Sequence, residues 1–235
     1  MPVKEYHLAW WRRWLARPLI RGVLSLLFRT LAPVRVTGKK NVPRGKPYIV
    51  AINHVSLFEA PFVAAYWPEQ LEVIGASDIW NRPGQNILAR LWGGIPVHRG
   101  DYDRAMFETV LAVLRSGYPL LIAPEGGRSH KPGLQPAKAG VAYLAEQSSL
   151  PIIPVAIVGT TDDFLKKALK GKRPQLEMHI GKPLYLPAVE GKGEGRRESR
   201  QRNADLVMRT IAGLLPEDYR GVYSDSAILP EPETH

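Results

Sequence analysis

No cysteine occurs in the 235 residues, which removes disulfides, thiolate metal sites and a cysteine nucleophile together. A reducing compartment fits that absence. Long apolar runs are missing too. The most apolar stretch, residues 19–31, is broken by Arg21 and Arg29, well short of the ~20 apolar residues a membrane-spanning helix needs. The same arginines interrupt the only candidate apolar region of a signal peptide. Negative charge is scarce: 22 Asp and Glu stand against 32 Lys and Arg, a net charge of +10. Such a field attracts anions, whether nucleic acid, anionic lipid or a phosphorylated substrate. The strongest basic runs, 166–173 and 192–202, lack regularly interleaved aromatics, so no base-stacking surface and no nucleic-acid partner are expected. Both runs read as solvated surface. No internal repeat is visible.

What is present suits one folded domain with a sizeable core: 45% of residues are hydrophobic and 23% charged. Residues 1–33 read as a helical segment. At ~100° per residue, Leu8, Trp10, Trp11, Trp14 and Leu15 share one arc, opposite Arg12 and Arg13. Pro18 is expected to restart or kink the helix. Beyond it, a wide apolar face stands beside a narrow stripe of Arg21, Ser25 and Arg29. Such a segment is expected to lie in a membrane interface without spanning it, and to be removable without unfolding the rest.

From Val34 onward short strands and helices alternate. Strands are expected over 48–52, 71–74, 95–97, 119–123, 152–158 and 176–180. Helices are expected over 56–66, 85–92, 101–115, 137–146 and 199–214, with Asp101 capping the third and Gly117 closing it. The alternation implies an α/β layered sheet with helices on both faces. The domain should run from 34 to 215, and the Pro- and acid-rich tail, 216–235, should be poorly ordered.

Four clusters carry chemistry. The first, Asn53-His54-Val55-Ser56-Leu57-Phe58-Glu59, lies where a strand gives way to a helix, the place where α/β folds present side chains to ligands. A histidine can take a proton from an attacking hydroxyl, and a carboxylate can orient it. Residues five apart on a helix are ~140° out of phase, so His54 must lie in the turn before the helix to meet Glu59. Ser56 and Glu59 also fit a capping box, a structural reading compatible with the catalytic one. The second cluster, Gly93-Gly94-Ile95-Pro96-Val97-His98-Arg99, ends in an Arg suited to a bidentate phosphate contact. In the third, Ala123-Pro124-Glu125-Gly126-Gly127-Arg128-Ser129, a glycine pair beside Arg can form a backbone concavity for an anion, with Lys138 just beyond. The fourth, Ile152-Ile153-Pro154-Val155-Ala156, reads first as a core strand.

In that order, over roughly residues 34–185, the clusters resemble the four blocks of the lysophosphatidic acid and related glycerophospholipid acyltransferases. Those blocks are Asn-His-x-x-x-x-Asp, a Gly-rich block ending in Arg, Pro-Glu-Gly-Thr-Arg-Ser, and a Pro-containing apolar strand. Glu59 stands here for the family's Asp and Gly127 for its Thr. The resemblance implies a membrane-associated O-acyltransferase of phospholipid biosynthesis, working at the cytoplasmic face. His54 would be the general base, held by Glu59. Arg99, Glu125, Gly126 and Arg128 would shape the substrate site for the phosphate of a lysophospholipid acceptor, with Lys138 as a further candidate. Acyl-coenzyme A or acyl-carrier protein would donate the chain, an anionic membrane surface would be the partner, and no metal or redox cofactor is implied. The rival readings are a thioesterase or lipid hydrolase, for which no Gly-x-Ser-x-Gly elbow is present, and an inactive basic lipid-binding module.

Overall fold

A short strand that is apolar on both faces must be covered on both, so it belongs at the centre of a sheet. The strand Ile49–Ile52 (β2) is buried at every position. The computed structural model describes residues 5–97 and 104–229. Around β2 lie β1 (Val34–Thr37), β3 (Glu72–Ala76), β4 (Ile95–Val97), β5 (Leu120–Ile122), β6 (Ile152–Val158) and β7 (Leu176–Ile180). The sheet order is β1-β7-β6-β2-β5-β3-β4, and neighbours are parallel except β6 and β7.

Among the described residues, the α-helices are α1 (Arg17–Leu31), α2 (Glu59–Tyr66), α3 (Gln85–Trp92), α4 (Arg104–Arg115), α5 (Gly140–Ser148), α6 (Phe164–Leu169) and α7 (Gly193–Leu214). The period-two alternation of a strand divides the core. Ile49 and Ala51 point into a cluster shared with α4, α5 and α7. Val50 and Ile52 point into another, shared with α1, α2 and α6. Helices therefore cover both faces, as the sequence predicts. The chain leaves β2 through α2 on one face and leaves the adjacent β5 through α5 on the other. Connections that part in this way open a crevice at the carboxyl ends of the two strands.

Pro18 stands in the first turn of the α-helix that starts at Arg17, as expected of a restart, yet the helical course is not broken there. A π-helical turn, Arg12–Ala16, runs directly into α1, and its wider spacing absorbs the hydrogen bond that proline cannot donate. The two faces of α1 are turned opposite to the usual arrangement. Arg21 donates to the Trp67 carbonyl and Ser25 to that of Ala65, so this part of the polar stripe faces the protein. The exposed side carries Leu19, Val23, Leu26 and Leu27, continuing Trp10, Trp14 and Leu15. Among the described residues no helix is long and apolar enough to cross a membrane.

The helix is not a removable appendage. Phe28 is buried against Phe62, with ring centroids 5.3 Å apart. Arg17, fully buried, makes a two-pronged ion pair with Glu72 on β3 at 2.8 and 2.6 Å, and also donates to the Trp92 carbonyl. Deleting residues 1–31 would leave Glu72 as a buried charge without its cation. The expectation of a separable segment is therefore withdrawn.

The expected disorder of the tail does not hold over 216–229. Two 3-10 turns, Glu217–Tyr219 and Gly221–Ser226, bury Tyr219 and Tyr223 against the core. The aromatic residues outweigh the Pro- and acid-rich composition around them.

Candidate active site

β2 delivers Asn53 and His54 to the crevice. The Asn53 side chain extends the β2–β6 ladder by one rung, donating to the Ile157 carbonyl and accepting from its amide at 2.9 and 2.7 Å. His54 follows in a turn, because α2 begins at Glu59, three residues later than the periodicity suggests. That delay lets residues five apart meet: His54 Nδ1 lies 3.0 Å from a Glu59 carboxylate oxygen.

Glu59 is fully buried and heavily supplied with donors. It accepts from the Ser56 amide at 2.9 and 3.0 Å, from the Ser56 hydroxyl at 3.1 Å and from the Thr160 hydroxyl at 2.6 Å. The bond from the Ser56 amide is half of the expected capping box. The other half is displaced, since Ser56 Oγ accepts from the Phe58 amide at 3.0 Å. Structural and orienting roles thus coexist in one carboxylate. A carboxylate bonded to Nδ1 fixes that nitrogen as the protonated one and leaves Nε2 as the acceptor. Nothing in the sequence singles out Thr160. It matters because β6 ends beside β2, which only the strand order reveals.

Blocks one and three are built as a unit. The Ser129 amide donates to the His54 carbonyl and the His130 amide to that of Val55, both at 2.9 Å. Glu125 completes the joint, accepting from the His54 amide at 2.8 Å and the Gln135 amide at 2.9 Å. Its carboxylate, only 4% exposed, is therefore occupied by the backbone and does not line the cavity. Glu125, expected to shape the acceptor phosphate site, thus stands behind the cavity wall and holds the histidine turn. Burial pushes its carboxyl up to about 7, although the two backbone donors favour the charge.

A cavity of about 280 Å³ opens beside His54. Its walls are mostly apolar, from Leu24 on α1, Leu57, Pro61, Val73, Trp80 and Leu88, and Gly126 and Arg128 line it together with His54. Gly126 adopts a φ of +68°, and a β-carbon there would meet the stem of Lys138 at 2.7 Å. Lys138 lies behind that glycine and is not part of the cavity wall. Gly127 has nothing within 4 Å of where a β-carbon would stand, so the space a threonine would need is open. Gly94 and Val97 also line the cavity, while Arg99 and the Asp101 cap fall outside the described residues. Among the described residues no three His or acidic side chains converge as a metal site.

A family model described as Acyltransferase matches residues 33–158. The human 1-acyl-sn-glycerol-3-phosphate acyltransferase alpha is 26% identical over 163 residues, covering 68% of this chain and 56% of that protein. The 1-acyl-sn-glycerol-3-phosphate acyltransferase of Limnanthes douglasii is 32% identical over 134 residues, covering 54% of this chain and 46% of that one. The chain spans about half the length of the curated relatives it matches. Among solved structures, the 1-acyl-sn-glycerophosphate acyltransferase of Thermotoga maritima superposes with a TM-score of 0.60 at 22% identity, over 83% of this chain and 79% of that one. That likeness establishes a shared fold.

Proposed function

Because the chain belongs to the acyltransferase family, we propose that it moves a fatty acyl group from a thioester to the free hydroxyl of a lysophospholipid, with 1-acyl-glycerol 3-phosphate as acceptor. One observation carries the reading: a histidine braced through Nδ1 by a buried carboxylate, at the wall of an apolar cavity. The acceptor hydroxyl gives its proton to His54 Nε2 as its oxygen attacks the thioester carbon. The carbon–sulfur bond then breaks, and His54 returns the proton to the departing sulfur. Glu59 stabilises the imidazolium between those steps. The apolar walls suit an acyl chain, and a guanidinium in the cavity wall, that of Arg128, supports assigning it to the acceptor phosphate.

The outward leucines and tryptophans of the N-terminal helix support attachment to one membrane leaflet. Ser56 is buried with its hydroxyl committed to Glu59 and Phe58, which disfavours a serine hydrolase. The test supplies purified protein with palmitoyl-coenzyme A or the corresponding acyl-carrier protein, with and without acceptor, and follows products by mass spectrometry. Diacylated product should form only with acceptor present. Thiol release unchanged by acceptor would make the protein a thioesterase. Lipid binding without turnover on any pair would make it a binding module.

A further inference from the structure

A second groove, about 450 Å³, opens between the C-terminal end of α1, the edge strand β1 and the loop before β7. It shares no lining residue with the catalytic cavity. Three cations line it, Arg29, Lys39 and Arg173, and among the described residues no carboxylate does. Tyr66 forms part of its wall, with the Arg29 guanidinium 5.9 Å from the ring centroid. Arg173 has a φ of +41°, a left-handed conformation that residues with a β-carbon seldom adopt. Its guanidinium donates to the Arg29 carbonyl at 3.3 Å, which brings two cations from distant parts of the chain to one wall.

We propose that this groove holds the phosphate of an anionic phospholipid headgroup, a lipid that is neither acceptor nor donor. The inference rests on the outward face of α1 as the membrane surface. Arg29 lies ~60° around the helix from exposed Leu26, at the margin of that apolar face, where headgroups meet a helix embedded in one leaflet. On the neighbouring α6, which meets α1 through Phe28 and Phe164 at 6.2 Å, Leu169 is 74% exposed. Apolar side chains thus flank the groove on two helices. The basic run over 166–173, which composition alone assigns to solvated surface, supplies one of its three cations.

The test compares the full chain with the triple variant R29Q/K39Q/R173Q and with K192Q/R197Q/R202Q, which removes equal charge near or on α7, across the sheet. Each protein is co-sedimented with vesicles of phosphatidylcholine alone and with vesicles containing phosphatidylglycerol. Each basic residue near an anionic surface is worth about fivefold in partitioning. The groove variant should therefore lose about a hundredfold of the binding to anionic vesicles, with neutral-vesicle binding and acyl transfer in detergent unchanged. Equal losses in the two triple variants would reduce the effect to diffuse charge and overturn the proposal, as would no loss in the groove variant. Millimolar inorganic phosphate at matched ionic strength gives the third arm: parental binding that drops to the groove-variant level would identify a free-anion site instead of a lipid site. Neutral vesicles report on the α1 face alone, so a failure of that reading and a failure of the groove appear in different measurements.

Discussion

Replacing Glu59 with Gln separates what this carboxylate holds from what it does. The amide oxygen can occupy the position that accepts from Ser56 and Thr160, where three donors converge on one oxygen. The amide nitrogen then faces His54 Nδ1 across the present 3.0 Å. An NH2 group donates, so Nδ1 must become the acceptor and the ring proton must move to Nε2. That is the nitrogen required to take the proton of the attacking hydroxyl. The wrong tautomer is a fault of chemistry and not of folding; in the serine-protease triad, where an Asp-to-Asn swap has the same effect, it costs about 10⁴ in kcat. We expect a loss of about three to four powers of ten in kcat for Glu59→Gln. Stability should shift by about 1–2 kcal/mol, since weakened charge-assisted bonds are offset by removal of a buried charge. Glu59→Asp keeps the charge but draws it back by one methylene, so it should retain a measurable fraction. The assay is thiol release from acyl-coenzyme A at saturating acceptor, beside thermal melts of all three proteins. The absence of cysteine leaves that assay free of protein thiol background. A Gln variant that melts and turns over like the parent would reduce Glu59 to a helix-start residue.

Three further outcomes are expected. Arg128→Lys should lower kcat/KM about 10- to 100-fold on a phosphate-bearing acceptor, the value of a charge-assisted bond, and hardly at all on monoacylglycerol; equal losses on both would mean a structural role. Arg17→Met should destabilise by about 3–5 kcal/mol, lowering Tm by about 10 °C, because Glu72 is left as an unpaired buried charge; a melt within 2–3 °C of the parent, about 1 kcal/mol in a chain of this size, would refute that. Glu125 has its carboxyl raised from 4.5 to about 7, so the folded chain keeps a proton that the unfolded chain releases across that window. Stability should therefore fall as pH rises from 4.5 to 7 and level off above, by up to about 3 kcal/mol. Activity should rise over the same range as the ionised carboxylate secures the His54 amide. Melts at several pH values should show the stability slope in the parent and its loss in Glu125→Gln, and identical slopes would sink the assignment.

Strands are legible because a strand leaves its mark on consecutive residues: 95–97 and 152–158 can be bounded without coordinates. His54 and Glu59 can be paired because they are five residues apart. The partners that brace them cannot. Thr160 reaches Glu59 across 101 positions and Arg17 reaches Glu72 across 55, and no local pattern records which strands end side by side. Helix α1 shows a different limit. Periodicity says which residues share a face but not which way the face is turned, and here Leu19, Leu26 and Leu27 look outward. The family resemblance assigns Glu125 to the substrate site along with its neighbours, but it does not say what the carboxylate holds there. Its bonds to backbone amides of two separate loops are visible only in three dimensions.

The buried Arg17–Glu72 pair bears on how the molecule is moored. It fastens the outermost helix to β3, whose Val73 and Ile74 line the cavity, and Leu24 of the helix lines it too. A helix secured in this way works as a keel and not as a cable. The outward leucines and His54 are thereby tied to one frame, and on the proposed function a lipid hydroxyl would have to reach His54 on the length of its own headgroup.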